Sequence, residues 1–203
     1  MDMKKQVPYV SQWADPAFNE RIAAGTDPCE DPSWRSTGFT DPDDYRFWAR
    51  RICGLACFQA ILAYYDIPAL SNKALLARAL EEDAYRLRED GGVEGLIYDP
   101  FLAFATRDFP LKGQVLRHCD VQQIESVLPE DGFLIWSVST EIRRPAKKNI
   151  RDAGHLILIH SADRNGCRFH NPSGVAPEQA DVAMSYDVLE RFSSKRGMVI
   201  ERR

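Results

Sequence analysis

An α+β fold is predicted for this chain, with helices gathered in the first part and an antiparallel sheet in the second, on three observations. Residues 53–65, Cys-Gly-Leu-Ala-Cys-Phe-Gln-Ala-Ile-Leu-Ala-Tyr-Tyr, are apolar almost all round, as in a helix buried on most faces. Beyond about residue 130 the period changes to short apolar runs, Phe-Leu-Ile-Trp-Ser-Val at 133–138 and His-Leu-Ile-Leu-Ile-His at 155–160, which read as buried strands. Asp163-Arg164-Asn165-Gly166 then leads into Cys167-Arg168-Phe169-His170 as a hairpin turn.

The chain has 203 residues, 44% hydrophobic and 28% charged, enough for a sizeable core in one domain spanning 1–203. A short disulfide scaffold, a disordered tail and a collagen-like fibre are excluded. Thirty acids against 26 bases leave a net charge of -4, so no global positive field draws nucleic acid or an anionic membrane. No apolar run approaches the roughly 20 residues that span a bilayer. The start, Met1-Asp2-Met3-Lys4-Lys5-Gln6 into Val7-Pro8-Tyr9, lacks an apolar signal core. With five cysteines, an odd number, reduced thiols and a cytoplasmic location are expected.

The elements follow in order. Residues 14–46 read as an insertion rich in Asp-Pro, at 15–16, 27–28, 31–32 and 41–42; each pair disfavours helix at its first residue and favours a turn. Phe18, Trp34 and Phe39 within this acidic stretch predict an ordered covering. After the buried helix, Ser71 is placed to cap a helix from Asn72 to about Glu89, with Leu76, Leu80, Ala84 and Leu87 on one stripe and Gly91-Gly92 as its stop. Further helices are expected at 100–107 and, capped by Asp120, at 120–128. The strands named above come next, and Met198-Val199-Ile200-Glu201 offers a last one.

Cys53 sits where a turn enters the buried helix. A thiol there faces unpaired backbone N–H groups and the positive end of the dipole, which favours the nucleophilic thiolate and could stabilise an oxyanion; a free cysteine can equally be inert packing. A thiolate nucleophile needs a base, and the base an orienting partner. Of the histidines at 118, 155, 160 and 170, His155 opens an apolar strand and can project from its end into a cleft. The others read as edge or surface histidines. Across the hairpin, the amide of Asn171 in Asn171-Pro172-Ser173-Gly174 could orient that ring, or the tetrapeptide is simply a turn. Zinc is the competing use of these residue types, but no paired C-x-x-C array is present, and neither metal nor cofactor is expected.

Taken together, these segments resemble a known family. Arg51-Ile52-Cys53-Gly54-Leu55-Ala56-Cys57 and the apolar residues up to Tyr65-Asp66-Ile67 are similar to the nucleophile segment of the bacteriocin-processing, double-glycine leader peptidases and their stand-alone relatives, within the papain-like cysteine peptidases. Gly154-His155 with its apolar strand, followed by Asn171-Pro172, resembles the family's His strand and its Asp-Pro or Asn-Pro turn. Val7-Pro8-Tyr9-Val10-Ser11-Gln12 resembles the opening strand of the stand-alone branch. The resemblance implies a papain-like fold, with Cys53 as nucleophile, His155 as base and then acid, Asn171 as orienting residue, and Gln12 with the Cys53 N–H as oxyanion hole. The chain departs from the pattern in the roughly 40 residues between Gln12 and Cys53, filled by the acidic insertion, and in Asn171 where Asp is more frequent. Cys57, inside the apolar helix, reads as packing.

Arg143, Arg144, Lys147, Lys148 and Arg151 precede His155. In a papain-like fold their loop would border the cleft and attract an acidic peptide, or else form a solvated hairpin end. The expected function is a cysteine peptidase acting on a peptide or small-protein substrate through an acyl-enzyme. The alternatives are an amidase, transpeptidase or acyltransferase with the same thiol chemistry, and a non-catalytic peptide-binding module.

Overall fold

The computed structural model describes residues 6–203; residues 1–5, part of the start inspected above for a signal core, lie outside the described residues. Three of the four Asp-Pro pairs prove to be helix starts. Asp15, Asp27 and Asp41 each occupy an N-cap with proline at the first helical position, where a missing N–H costs nothing and φ is already set. Their carboxylates accept from the N–H groups of Ala17 at 2.9 Å, Cys29 at 2.9 Å and Asp44 at 2.8 Å. Asp31, wholly buried, accepts from Asp15 N–H at 2.7 Å and Ser33 N–H at 2.8 Å, joining two of these turns. The resulting short helices, including α1 (Asn19–Ala23) and α2 (Pro42–Ala49), bury Trp34, Phe39 and Tyr45, with Trp34 stacked on Tyr45 at 5.3 Å.

The apolar string forms α3 (Cys53–Tyr64), buried along most of its length. Ser71 caps α4 (Asn72–Glu81) through the Ala74 N–H at 3.3 Å. This helix stops earlier than its sequence stripe suggests: Asp83 takes φ +59°, and β1 (Tyr85–Leu87) pairs with β2 (Val93–Gly95) around the two glycines. Ala84 and Leu87 continued the helical period by coincidence; Leu87 is exposed. Next come α5 (Tyr98–Asp108), β3 (Leu111–Leu116) and α6 (Ile124–Val127), the last preceded by a capping box between Asp120 and Gln123.

The remaining elements are β4 (Gly132–Ser139), β5 (Gly154–Asp163), β6 (Gly166–His170), β7 (Val182–Ser185), α7 (Tyr186–Glu190) and β8 (Ser193–Arg202). They complete a six-stranded antiparallel sheet in the order β3-β8-β4-β5-β6-β7. The predicted class is thus realised, with helices packed on an antiparallel sheet. Leu156 and Leu158 of β5 join α3, α4 and α5 in one apolar core, while Ile157 and Ile159 face a second with Trp136, Phe169 and Leu189. This alternation gives β4 and β5 two buried faces, which is why their sequences are apolar throughout instead of alternating. Among the described residues, no helix is long and apolar enough to cross a membrane.

Candidate active site

Cys53 opens α3 directly after the N-cap residue Ile52. The next residue has to be small: a Cβ on Gly54 would lie 2.8 Å from a methyl carbon of Leu156 and 2.8 Å from one of Leu96. Glycine therefore lets β5 and the segment after β2 close on the start of the helix, beside the thiol. One turn further, Cys57 is buried and its Sγ lies 3.8 Å from the Leu156 carbonyl oxygen.

His155 is the second residue of β5, facing Val138 of β4 in the sheet register. It is 3% exposed, and its Nε2 lies 2.7 Å from Asn171 Oδ1. Amide oxygen only accepts, so Nε2 carries the ring proton and Nδ1 is left with its lone pair. Asn171 follows β6 and is itself pinned. Its N–H donates to Gln179 O at 2.8 Å, and its carbonyl accepts from the Tyr9 hydroxyl at 3.0 Å. Ser173 Oγ is also close to His155 Nε2, at 3.2 Å, and accepts from Arg143 Nε at 2.9 Å.

Cys53, His155 and Leu156 line the same groove, about 690 Å³ in volume. Its rim comes from Arg50 and Arg51 before α3, from residues 93–99, and from Arg117, His118 and Arg196. Arg117 is paired with Asp99 at 2.7 Å. Among the described residues, Arg50 and Arg51 bond to carbonyl oxygens, of Ile22 and Thr26 and of Phe47 respectively, and to no carboxylate.

Burial raises the Cys53 thiol pKa, against opposition from the N–H groups of Leu156 and Gly54 and the Arg143 guanidinium. The thiolate expected from a helix N-terminus is therefore not the resting form: desolvation outweighs the dipole. The His155 imidazole is pushed down to about 3, by burial first and the Arg143 charge second, against the Asn171 hydrogen bond. At neutral pH the groove holds a thiol on Cys53 and a neutral imidazole on His155. That is the protonation state in which the imidazole can accept a proton.

The residues singled out in the sequence are brought together unevenly. Cys53 and His155 line the same groove, and Asn171 contacts the His155 ring without lining it. Gln12 is held nearby, its N–H donating to Pro172 O at 2.8 Å and its Nε2 to Ala49 O at 2.7 Å. Of the basic cluster, Arg143 turns inward to Ser173, whereas Arg144, Lys147 and Lys148 stay exposed and, like Arg151, do not line the groove. Ser173 and the 93–99 wall went unread: the former stood in the Asn171 turn without a chemical cue, and the latter lay beyond a helix taken to run to residue 89. None of residues 14–46 lines the groove.

No family model and no curated protein matches the sequence. Among solved structures, the fold is similar to the peptidase domain of Streptococcus ComA, a bi-functional ABC transporter involved in a quorum sensing pathway. That likeness has a TM-score of 0.50 at 12% identity, over 75% of this chain and 93% of that one. The fold, helices packed on a six-stranded antiparallel sheet, is similar to that of this peptidase domain. Two further structures are similar more loosely. A double glycine motif protease from an AMS/PCAT transporter, solved in complex with the leader peptide, has a TM-score of 0.48 at 14% identity, covering 74% of this chain and 84% of that one. The N-terminal peptidase C39 like domain of the toxin secretion ATP-binding protein from Vibrio parahaemolyticus has a TM-score of 0.43 at 14% identity, covering 70% and 90%.

Proposed function

We propose that the chain is a cysteine peptidase that cleaves a peptide bond through an acyl-enzyme on Cys53. The reading is carried by the 2.7 Å contact between His155 Nε2 and Asn171 Oδ1, which leaves Nδ1 as the free base in a groove shared with Cys53. On attack, the Sγ–H proton passes to His155 Nδ1 while sulfur bonds to the carbonyl carbon. The imidazolium then returns that proton to the leaving amine as the C–N bond breaks. Water, deprotonated by the same nitrogen, finally releases the acid and restores the thiol. Asn171 holds the ring throughout and adds no charge. The Cys53 N–H and the second hydrogen on Gln12 Nε2 are the donors assigned to the oxyanion.

The open groove and its arginines suit an extended peptide or small protein with acidic residues. All five cysteines are unpaired, which supports a reducing, cytoplasmic setting. We take residues 14–46 as an integral part of one domain, since Trp34, Phe39 and Tyr45 join its main core. The test is incubation of wild type and Cys53→Ala with a mixed peptide library, read by mass spectrometry. Cleavage confined to wild type supports the peptidase. Cleavage retained in Cys53→Ala refutes the thiol chemistry, and retention of peptide by both proteins without product refutes catalysis.

A further inference from the structure

Arg143 has no role in the chemistry above, yet its side chain reaches the back of the proposed site. It is the last residue of the turn Thr140–Arg143 that follows β4, and that turn is fixed by Ser139 Oγ accepting from Glu141 N–H at 3.1 Å. From there the guanidinium aims both Nε, at 2.9 Å, and one terminal nitrogen at the oxygen of Ser173. Ser173 is wholly buried, and its oxygen abuts His155 Nε2 at 3.2 Å. Guanidinium is donor-only and permanently charged, and among the described residues Arg143 forms no ion pair.

We propose that Arg143 is a positioning residue for the His155 imidazole, locking Ser173 against the Nε2 side of the ring and placing a positive charge behind it. The inference rests on the peptidase reading of the same site. Asn171 and Ser173, from the turn after β6, contact the ring, and Arg143, from the turn after β4, stands behind Ser173; Cys53, Glu94, Asp99, His118 and Arg196 line the groove that the ring borders. Around Arg143 itself stand Glu141, Arg144 and Arg50. Glu141 acts on the guanidinium without forming an ion pair with it. A positive charge there opposes imidazolium, so the base stays unprotonated well below the pH at which a solvated histidine would be lost. The same charge favours developing thiolate on Cys53. The arrangement uses charge where an Asp partner would have done the opposite: it orients the ring through a neutral amide and suppresses its protonation with a cation.

The experiment is an NMR titration of the His155 ring in the Cys53→Ser background, with Arg143 intact, Arg143→Lys, Arg143→Gln and Ser173→Ala. Arg143→Gln is expected to raise the midpoint by roughly one to two pH units, the effect of removing a neighbouring unit charge from a buried site. Arg143→Lys, keeping the charge, should leave it low. A midpoint unchanged in Arg143→Gln overturns the proposal. Where that variant does not fold, Ser173→Ala takes its place, because it frees the guanidinium from its anchor. A rise of half a unit or more supports the clamp, and no rise overturns it. Alkylation of Cys53 by iodoacetamide at pH 7, compared between wild type and His155→Ala, separates the two levels. Equal rates would refute the Cys53–His155 pair itself. A tenfold or greater loss in His155→Ala, with no midpoint shift in Arg143→Gln, would refute only the role of Arg143.

Discussion

Burying His155 as a neutral base makes the protein's stability depend on pH in a way that can be worked out in advance. The ring is 3% exposed and its pKa is pushed down to about 3, against about 6.5 in an unfolded chain. As pH falls below 6.5 the unfolded state gains a proton that the folded state refuses, so stability is full above 6.5 and is lost progressively down to about 3. Between pH 7 and pH 5 the loss from this one group is about 2 kcal/mol, and it approaches 4–5 kcal/mol by pH 3. The upper window is the informative one, since ordinary carboxylates with unfolded values near 4 remain ionised there. His170, also lowered by burial, contributes in the same direction but cancels in a comparison with His155→Gln. Urea unfolding of both proteins at pH 7, 6 and 5, followed by tryptophan fluorescence, should show wild type losing about 2 kcal/mol more than the variant. The intrinsic cost of the substitution drops out because only the change with pH is compared. Parallel losses in the two proteins would mean that His155 is not held neutral, and the description of the resting site would be wrong.

Two further outcomes follow from neighbouring contacts. Asn171→Asp places a carboxylate on His155 Nε2, 2.7 Å away in the present geometry, and should raise the ring midpoint by about 1–3 units; an NMR titration that finds no rise would show that Asn171 does not hold the ring in solution. Asp31→Ala leaves the N–H groups of Asp15 and Ser33 without their buried acceptor, at a cost of about 2–3 kcal/mol. Thermal unfolding should register this as a fall of about 5–10 °C in Tm, and a fall under 1 °C would show that residues 14–46 contribute little to the fold.

Residues buried from two sides announced themselves. α3 and the inner strands β4 and β5 are apolar along their length because every face meets a core. Missed were β3 and β7, the two outer strands of the sheet. An edge strand has less apolar surface to hide, and Leu111-Lys112-Gly113-Gln114 carries no strand pattern that stands out. The Asp-Pro pairs were visible, but three of them were misread as turns, since Asp before Pro serves a turn and an N-cap equally well. Only the partners Trp34, Phe39 and Tyr45 select the helix start. For the proposed site, Cys53, His155 and Asn171 stood out in the sequence because each lies at or next to the end of a recognisable element.

The amino-acid sequence alone determined the class of fold, the central helix with its leading thiol, and the strand that begins with His155, because hydrophobic period and local capping are properties of short segments. The tertiary structure alone decided that desolvation overrides the helix dipole at Cys53, that Arg143 turns inward to Ser173 while its basic neighbours face water, and that residues 93–99 wall the groove. Burial and charge proximity depend on segments far apart in the chain. Their balance is set only when the chain has closed around them.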